Sequence, residues 1–322
     1  MRVLITNLMM LKEEKRFDAI LRQEGLEPVF QPAAQALSEA ELLPLMGEFD
    51  GWIAGDDAVT PTVLDAALPR LKVIAKWGTG VDSFDLPAAK QRGVPVFNAP
   101  AAFQHAVSEV ALGYMLDLSR HLGEVDRAVR SGNWPKPCGP GLYGRTLGII
   151  GFGAIGRGVA ERAQGFGMEI LAYDPMQPPV PDHITARYGE LDEVIANCDV
   201  LCFCCNRTAE NYHLLNAERI AAMRDGAIVV NVARGGLIDE DALLAALQSG
   251  KLAGAGLDVF EHEPLATDSP FKTMENVVLG SHNANNQRAA IEAVHAHTLD
   301  CLYQGLGRVQ AGKVPLTDKL AA

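Results

Sequence analysis

The feature that most constrains the fold of this sequence is a glycine-rich turn between an apolar run and a helical pattern. Residues 147–150 (Leu-Gly-Ile-Ile) predict a buried strand, and Gly151-Phe152-Gly153-Ala154-Ile155-Gly156 follows at once. A helical pattern then runs over residues 157–164. Strand, glycine turn and helix in this order predict the first βαβ unit of a parallel sheet, because the chain runs too closely past its neighbours at the three glycine positions to admit side chains there.

Each glycine of the turn has its own geometric role. Gly151 permits the tight turn, Gly153 lets the backbone approach a pyrophosphate closely, and Gly156 lets the helix pack on the strand. The helix N-terminus, at Ala154 and Ile155, offers unpaired N–H groups and the positive end of a dipole. The turn therefore predicts a dinucleotide site, and the alternative is a glycine turn that binds nothing.

An acidic residue after the next strand separates these two interpretations. A strand over residues 170–173 ends at Asp174, and its distance from Gly156 is 174 − 156 = 18 residues. A carboxylate about 20 residues beyond the turn binds the adenosine ribose hydroxyls. It would repel the 2′-phosphate of NADP, and no arginine follows it directly. The sequence therefore predicts NAD rather than NADP.

The first hundred residues alternate short apolar runs with helical patterns. The predicted strands are 3–6, 28–31, 51–54, 72–76 and 94–97, and the predicted helices are 14–24, 39–46, 61–67 and 86–91. Strands that alternate with helices form a parallel sheet covered on both faces. We therefore predict a small α/β domain here.

The second half of the chain repeats this alternation. A single long helix is predicted over 101–131, and a Gly/Pro-rich loop follows over 133–144. Further strands are predicted at 146–150, 169–173, 200–204, 227–232, 253–258 and 277–280, before a last helix at 289–303 that should return to the first domain. The prediction is two domains, residues 1–100 with 286–322 and residues 101–285.

Bulk composition narrows the class of partner. The chain has 322 residues and a net charge of −12, with 48% hydrophobic and 21% charged residues. Nucleic acids and anionic membranes are disfavoured as partners, because binding them needs clustered cations. Three of the six cysteines are Cys202, Cys204 and Cys205, without a flanking histidine. We expect reduced thiols, no metal site and a cytoplasmic location.

Ionisable residues follow several predicted strands of the second half. Arg234 follows one strand, Asp258 and Glu263 follow another, and His282 follows a third. Hydride transfer to a 2-oxo acid needs a cation for the carboxylate, a proton donor that titrates near neutral pH, and a carboxylate partner for that donor. Ligands of open α/β sheets bind outside the carboxyl ends of the strands, where these residues are expected.

Together these motifs resemble the D-isomer-specific 2-hydroxyacid dehydrogenase family, of the phosphoglycerate dehydrogenase type without a regulatory domain. The matching blocks span about residues 76–290 in the family's order: Gly-Thr-Gly-Val-Asp at 78–82, the glycine turn with Asp174, Asn-Val-Ala-Arg-Gly-Gly at 231–236, Asp-Val-Phe-Glu-His-Glu-Pro at 258–264, and His282. The resemblance implies a flavodoxin-like catalytic domain and a Rossmann NAD-binding domain, both doubly wound parallel sheets. It also implies a homodimer.

The resemblance implies roles for individual residues. Arg234 would bind the substrate carboxylate, His282 would be the acid/base, and Glu263 would be its partner. Asp258 would bind the nicotinamide carboxamide. The remaining implied contacts are Cys205 and Val232 with the cofactor, and Gly78, Thr79 and Gly80 with the substrate. Lys76 would contact a second anionic group of the substrate, or is a strand-end lysine without that role.

The match departs from the family around the histidine. Where the family usually has Pro-His-Ile-Ala-Gly-Ala-Thr, residues 281–287 are Ser-His-Asn-Ala-Asn-Asn-Gln. A polar or sugar-acid-like substrate is therefore expected.

Two alternatives stay open, a non-catalytic NAD(H)-sensing protein of this fold and a formate dehydrogenase, although Glu263 disfavours the latter. His262 competes weakly with His282, and His295 and His297 are expected to bind no ligand.

Overall fold

The computed structural model describes residues 1–309, 312–313 and 315–319. It divides into two compact units, Met1–Ala102 with Arg288–Ala322, and Phe103–Gln287. Two separate parallel sheets organise them, one of five strands and one of seven. None of the helices in the described part of the chain combines the length and apolar character needed to cross a bilayer.

The first unit contains a five-stranded parallel sheet in the order β2-β1-β3-β4-β5. Its strands are β1 (Arg2–Ile5), β2 (Glu27–Phe30), β3 (Gly51–Ala54), β4 (Val73–Lys76) and β5 (Val96–Phe97). Its helices are α1 (Leu8–Leu11), α2 (Glu14–Gln23), α3 (Glu39–Leu42), α4 (Pro61–Ala67), α5 (Leu86–Gln91), α12 (Arg288–Gly305) and α13 (Leu316–Lys319). The strand order is that of flavodoxin-like folds.

The helix α12 brings the C-terminal part of the chain onto this sheet. It packs on β3 and β4, where Gly305 leaves space for Val73, since a β-carbon there would lie 2.2 Å from that side chain. The buried carboxylate of Asp57 holds the segment after β3. It accepts hydrogen bonds from the Leu37 and Gly55 N–H groups, at 2.9 and 2.8 Å.

The second unit contains a seven-stranded parallel sheet in the order β12-β11-β10-β9-β6-β7-β8. Its strands are β6 (Thr146–Ile150), β7 (Glu169–Tyr173), β8 (Arg187–Tyr188), β9 (Val200–Phe203), β10 (Ala227–Asn231), β11 (Leu252–Leu257) and β12 (Val277–Leu279). Its helices are α6 (Gln104–Arg120), α7 (Leu122–Arg130), α8 (Ala154–Gln164), α9 (Leu191–Asn197), α10 (Ala217–Ala222) and α11 (Glu240–Ser249). The order reverses at β6, so the switch point between β6 and β9 lies beside the glycine turn. The predicted fold class is confirmed.

The single helix predicted over 101–131 is wrong. The chain breaks at His121, which adopts φ +56° between α6 and α7. Gly123 N–H donates to Asp117 Oδ1 at 2.7 Å, and His121 Nδ1 lies 3.0 Å from Glu124 Oε2. These side-chain contacts stabilise the left-handed residue, and a 3.6-residue pattern does not report them.

Candidate active site

The glycine turn between β6 and α8 is closed on the protein side and open on the other. Gly151 adopts φ +93°, and a β-carbon there would lie 2.7 Å from the backbone of Cys205. At Gly156 a β-carbon would lie 2.1 Å from the Gly151 carbonyl oxygen. Gly153 has no neighbouring atom within 4 Å of its β-carbon position, so its backbone is accessible to a ligand.

The first turn of α8 has the donors that a pyrophosphate requires. Its N-cap is Gly153, and no side chain caps the helix. The N–H groups at Ala154 and Ile155 therefore point out of the helix end without a side-chain acceptor, next to the open side of the turn. This donor set fits the phosphates of a dinucleotide.

Asp174 is held directly beside the turn. Its Oδ2 accepts the Phe152 N–H at 2.9 Å, and its Oδ1 accepts the Met176 N–H at 2.9 Å. Each carboxylate oxygen keeps a further lone pair, so the half-buried side chain can still accept two ribose hydroxyls.

The cysteines at the end of β9 form no disulfide. Cys202 Sγ and Cys204 Sγ are 3.7 Å apart, and both cysteines are free. Burial raises the pKa of the Cys205 thiol to about 12, so it is a poor nucleophile at neutral pH. Cys205 instead contributes backbone against the glycine turn. Among the residues that the structure describes, no group of three metal-ligating side chains comes together.

Arg234 lies in a loop that Asn231 shapes at the end of β10. The Asn231 Nδ2 donates to the Arg234 carbonyl at 2.9 Å, and its Oδ1 accepts the Ala233 N–H at 3.0 Å. A β-carbon at Gly235 would lie 1.9 Å from the Phe260 carbonyl carbon. The loop that carries Arg234 therefore packs against the loop that carries Glu263. Val232, buried between them and the sheet, has 7% of its side chain exposed.

Asp258 holds the loop that carries His282. The residue is 2% exposed, and its carbonyl accepts the His282 N–H at 2.7 Å. Its carboxylate accepts the N–H groups of Asn283 and Ala284, at 3.1 and 2.9 Å. His282 adopts φ +53°, a strained value for a non-glycine residue. Asp258 therefore fixes an unfavourable backbone conformation at the histidine.

The imidazole of His282 is paired with the carboxylate of Glu263. His282 Nδ1 lies 2.8 Å from Glu263 Oε2, and Glu263 Oε1 accepts the Phe260 N–H at 3.0 Å. A carboxylate can only accept, so Nδ1 carries the proton of this contact and Glu263 fixes the orientation of the ring. The neighbouring His262 is exposed, and Glu263 makes its contact with His282 instead.

The predicted substrate residues Lys76 and Gly78–Gly80 belong to the other unit, after β4. Lys76 is 5% exposed; its Nζ contacts Asp56 at 2.9 Å and donates to the Trp77 carbonyl at 2.8 Å. These contacts favour the structural interpretation of the lysine. The carbonyls of Gly78 and Thr79 accept hydrogen bonds from residues after β5.

Comparison with known proteins identifies the family. The D-isomer specific 2-hydroxyacid dehydrogenase NAD-binding domain matches residues 112–284. A hydroxypyruvate reductase of Thermotoga maritima is 37% identical over 293 residues, which cover 89% of this chain and 94% of that protein. The chain belongs to the D-isomer specific 2-hydroxyacid dehydrogenase family. It is an oxidoreductase that transfers hydride between NAD(H) and a small 2-hydroxy or 2-oxo acid.

Further members of the family agree in sequence and fold. A glyoxylate reductase of Thermococcus onnurineus is 38% identical over 271 residues, 81% of this chain and 79% of its own. The D-lactate dehydrogenase of Aquifex aeolicus, solved with NAD and lactic acid, superposes with a TM-score of 0.84 at 28% identity, over 95% and 96% of the two chains.

Tyr114 is a site residue that the sequence did not reveal. Its hydroxyl donates to Asp258 Oδ1 at 3.2 Å, and burial followed by the Asp258 charge raises its pKa. Its ring occupies the space that Gly256 leaves on β11. A tyrosine in an amphipathic helix gave no signal by itself; only the small residues on the facing strand could have indicated it.

Proposed function

We propose that this dehydrogenase reduces a small polar 2-oxo acid with NADH, with His282 as the acid/base, Glu263 as its partner and Arg234 as the carboxylate-binding residue. The contact between His282 and Glu263 carries the proposal, because a carboxylate beside Nδ1 orients the ring and stabilises its protonated form. The guanidinium of Arg234 would orient the substrate through two parallel hydrogen bonds.

The proposed cofactor contacts follow from the turn and the strand ends. The N–H groups near Gly153, Ala154 and Ile155 would bind the pyrophosphate, Asp174 the adenosine ribose, and Val232 and Cys205 the inner part of the site. Bound NADH supplies the hydride. Asp258 would accept from the carboxamide with the lone pairs that Tyr114, Asn283 and Ala284 leave.

We propose that the chain prefers NADH to NADPH. The Asp174 carboxylate lies beside the turn and would repel a 2′-phosphate, and the residues that follow it, Pro175 and Met176, offer no cation. Rates with the two cofactors at equal concentration test this preference directly. Equal rates with NADH and NADPH would contradict it.

The proposed proton transfer makes the rates of reduction and oxidation depend on pH. In reduction, protonated His282 donates from Nε2 to the carbonyl oxygen, so the rate should fall as pH rises and the ring loses that proton. In oxidation the neutral ring accepts the proton, and the trend should be opposite.

A panel of 2-oxo acids tests the function. NADH oxidation at 340 nm would be measured with glyoxylate, hydroxypyruvate, pyruvate, 2-oxoglutarate, phosphohydroxypyruvate and sugar-derived 2-oxo acids. We expect turnover, and we expect His282→Ala to lower kcat at least about 100-fold with NADH binding nearly unchanged. Tight NADH binding without turnover on any of them would contradict the proposal and favour a sensor.

The substrate is proposed to be polar. Asn283 and Asn286 pair with each other at 2.7 Å, between Nδ2 of Asn286 and Oδ1 of Asn283, and half-buried Asn285 lies between them in the loop after His282. These amides replace the small and apolar residues of the family pattern. Hydroxypyruvate or a sugar-derived 2-oxo acid should therefore be preferred to an aliphatic 2-oxo acid.

We further propose a cytoplasmic homodimer that forms through the NAD-binding unit. The supporting observation is a group of exposed apolar side chains around α7 and the loop after it. They are Leu122, Val129, Trp134 and Tyr143, and the last two are 78% and 89% exposed. Apolar side chains that cluster on a surface are typical of an interface.

A further inference from the structure

The helix α12 places two histidines behind the loop that is proposed to bind the substrate carboxylate. His295 and His297 are two residues apart, and both make hydrogen bonds to the segments after β4 and β5 rather than to solvent. The loop itself, residues 77–80, follows β4 directly. No role in the reaction described above uses either histidine.

His295 holds the first residue of this loop. The ring is 2% exposed, and its Nδ1 lies 3.0 Å from the indole Nε1 of Trp77. An indole nitrogen can only donate, so Nδ1 accepts and the proton of the neutral ring is on Nε2. Phe17 packs on the ring with centroids 4.7 Å apart, so the acceptor has a fixed direction.

His297 holds the loop through one intermediate residue. Its Nε2 lies 3.0 Å from the Asn98 carbonyl oxygen, which can only accept, so the histidine donates. The Asn98 side chain in turn donates from Nδ2 to the Thr79 carbonyl at 2.7 Å. The Thr79 hydroxyl donates to the Ala99 carbonyl at 2.8 Å. The path from α12 to the loop is therefore continuous.

These contacts use the carbonyl groups of the loop and leave its N–H groups. The carbonyls of Trp77, Gly78 and Thr79 accept from Lys76 Nζ, Ala99 N–H and Asn98 Nδ2. Within the described part of the chain, the N–H groups of Gly78, Thr79 and Gly80 have no protein acceptor. Gly78 adopts φ +107°. Consecutive unpaired N–H groups of this kind form a concave anion site.

We propose that His295 and His297 are positioning residues for the substrate carboxylate. His295 holds the Trp77 side chain, and His297 holds Asn98, which donates to the Thr79 carbonyl. Together they fix the 77–80 loop and thereby aim its three N–H groups at a single anion. The inference rests on the proposed function, since it takes that anion to be the carboxylate of the 2-oxo acid. It assigns neither histidine to the proton transfer, which belongs to His282.

The test separates substrate affinity from cofactor affinity and from turnover. His297→Leu removes the donor to Asn98, whereas His297→Gln keeps an amide donor in its place. We expect His297→Leu to raise KM for the best 2-oxo acid about tenfold, the loss expected for one hydrogen bond, with kcat and the Kd of NADH within about twofold of the wild type. His297→Gln should restore most of the affinity. Ala296→Gln, on the exposed side of α12 between the two histidines, is the matched control and should change neither.

The same loop can be tested from its other end. His295→Leu removes the acceptor and Trp77→Phe removes the donor of the same hydrogen bond, so the two variants should raise KM alike. If His295→Leu does not fold, the KM values of Trp77→Phe and of the two His297 variants still test the inference.

Three outcomes would count against the inference. An unchanged KM in His297→Leu would overturn it, and so would a His297→Gln variant as impaired as the leucine variant. Parallel losses of NADH and substrate affinity would indicate a general structural defect and overturn it as well. Wild-type protein that reduces no 2-oxo acid would instead overturn the proposed function, and this inference with it.

Discussion

At the scale of single residues, the histidine proposed as the acid/base, His282, is held by two carboxylates that act differently. Glu263 contacts the imidazole, at 2.8 Å from Nδ1. Asp258 contacts only the backbone around it, through the carbonyl and carboxylate oxygens. One carboxylate therefore sets the charge of the ring, and the other sets where the ring is.

Glu263→Gln tests the first of these roles. The amide can still accept the Phe260 N–H, but it no longer stabilises a charged His282 ring. We expect kcat for reduction to fall about 10- to 100-fold, and the decline of the rate with rising pH to begin at lower pH. Initial rates between pH 5.5 and 9 would measure both effects.

A neighbouring carboxylate provides the control for this variant. Glu261 contacts His213 and Tyr212, at 3.0 and 2.9 Å, and not His282. Glu261→Gln should therefore leave the pH profile of reduction in place. A profile that moved equally in both variants would show a general electrostatic effect instead of a specific partner.

At the scale of elements, the six-residue turn between β6 and α8 must both let the helix pack on the strand and leave backbone open to a ligand. Gly156 is glycine because of the protein, since a β-carbon would lie 2.1 Å from the Gly151 carbonyl oxygen. Gly153 has no such constraint, since its β-carbon position faces open space and its φ of −73° suits any residue. We therefore expect one glycine that the fold requires and one that the proposed cofactor requires.

Alanine substitutions should separate these two glycines. Gly156→Ala forces α8 away from β6, and we expect it to lower the free energy of unfolding by roughly 2–4 kcal/mol, as strongly overpacked sites do. Gly153→Ala should leave that free energy within about 0.5 kcal/mol of the wild type and weaken NADH binding. Urea unfolding without cofactor and a fluorescence titration with NADH measure the two quantities. If Gly153→Ala were the less stable variant, this division would be wrong.

At the scale of the whole molecule, acid should destabilise the fold in two steps. Burial lowers the pKa of His295 and of His297, so the folded chain binds fewer protons at these sites than the unfolded chain. Their contribution to stability is complete above the unfolded value, about 6.5, and is lost as pH falls through the lower folded values. The first loss should therefore begin just below pH 6.5.

The second step comes from carboxylates. Burial opposes ionisation of Asp199, but hydrogen bonds from the Thr146 N–H and the Arg224 guanidinium outweigh it and lower the pKa of Asp199. Burial likewise opposes ionisation of Asp50, and hydrogen bonds from the Arg2 N–H and the Arg70 guanidinium lower its pKa. This stability is present above about pH 4 and is lost below it. Urea unfolding from pH 8 to pH 3 would show both steps, and His295→Gln should weaken the first only. A single loss confined to low pH would contradict the histidine contribution.

The proposed dimer also belongs to this scale. Trp134→Ser removes the large apolar side chain that is 78% exposed, and we expect it to shift a dimer toward monomer in light scattering after gel filtration. Val309→Ser changes an exposed apolar residue, 51% exposed, that belongs to the other unit, and it should not. A monomeric wild type would refute the proposal.

Much of the fold and most of the site chemistry follow from local sequence. Strands such as β3, β6 and β7 and helices such as α4 and α5 have the predicted bounds, because buried parallel strands are apolar runs and helices between them start at recognisable caps. The glycine turn, Asp174 and the order of Arg234, Glu263 and His282 are equally local signals. They indicated a dinucleotide-linked reduction before any three-dimensional information.

The sequence by itself determined the class of fold and the use of NAD(H), and it predicted the reacting groups, because each depends on residues close together in the chain. Only the tertiary structure decided what holds them. The bond from Tyr114 to Asp258 and the contacts of His295 with Trp77 and of His297 with Asn98 join residues 144 to 218 positions apart. Such contacts depend on how elements pack, and periodicity along one element carries no record of its neighbour.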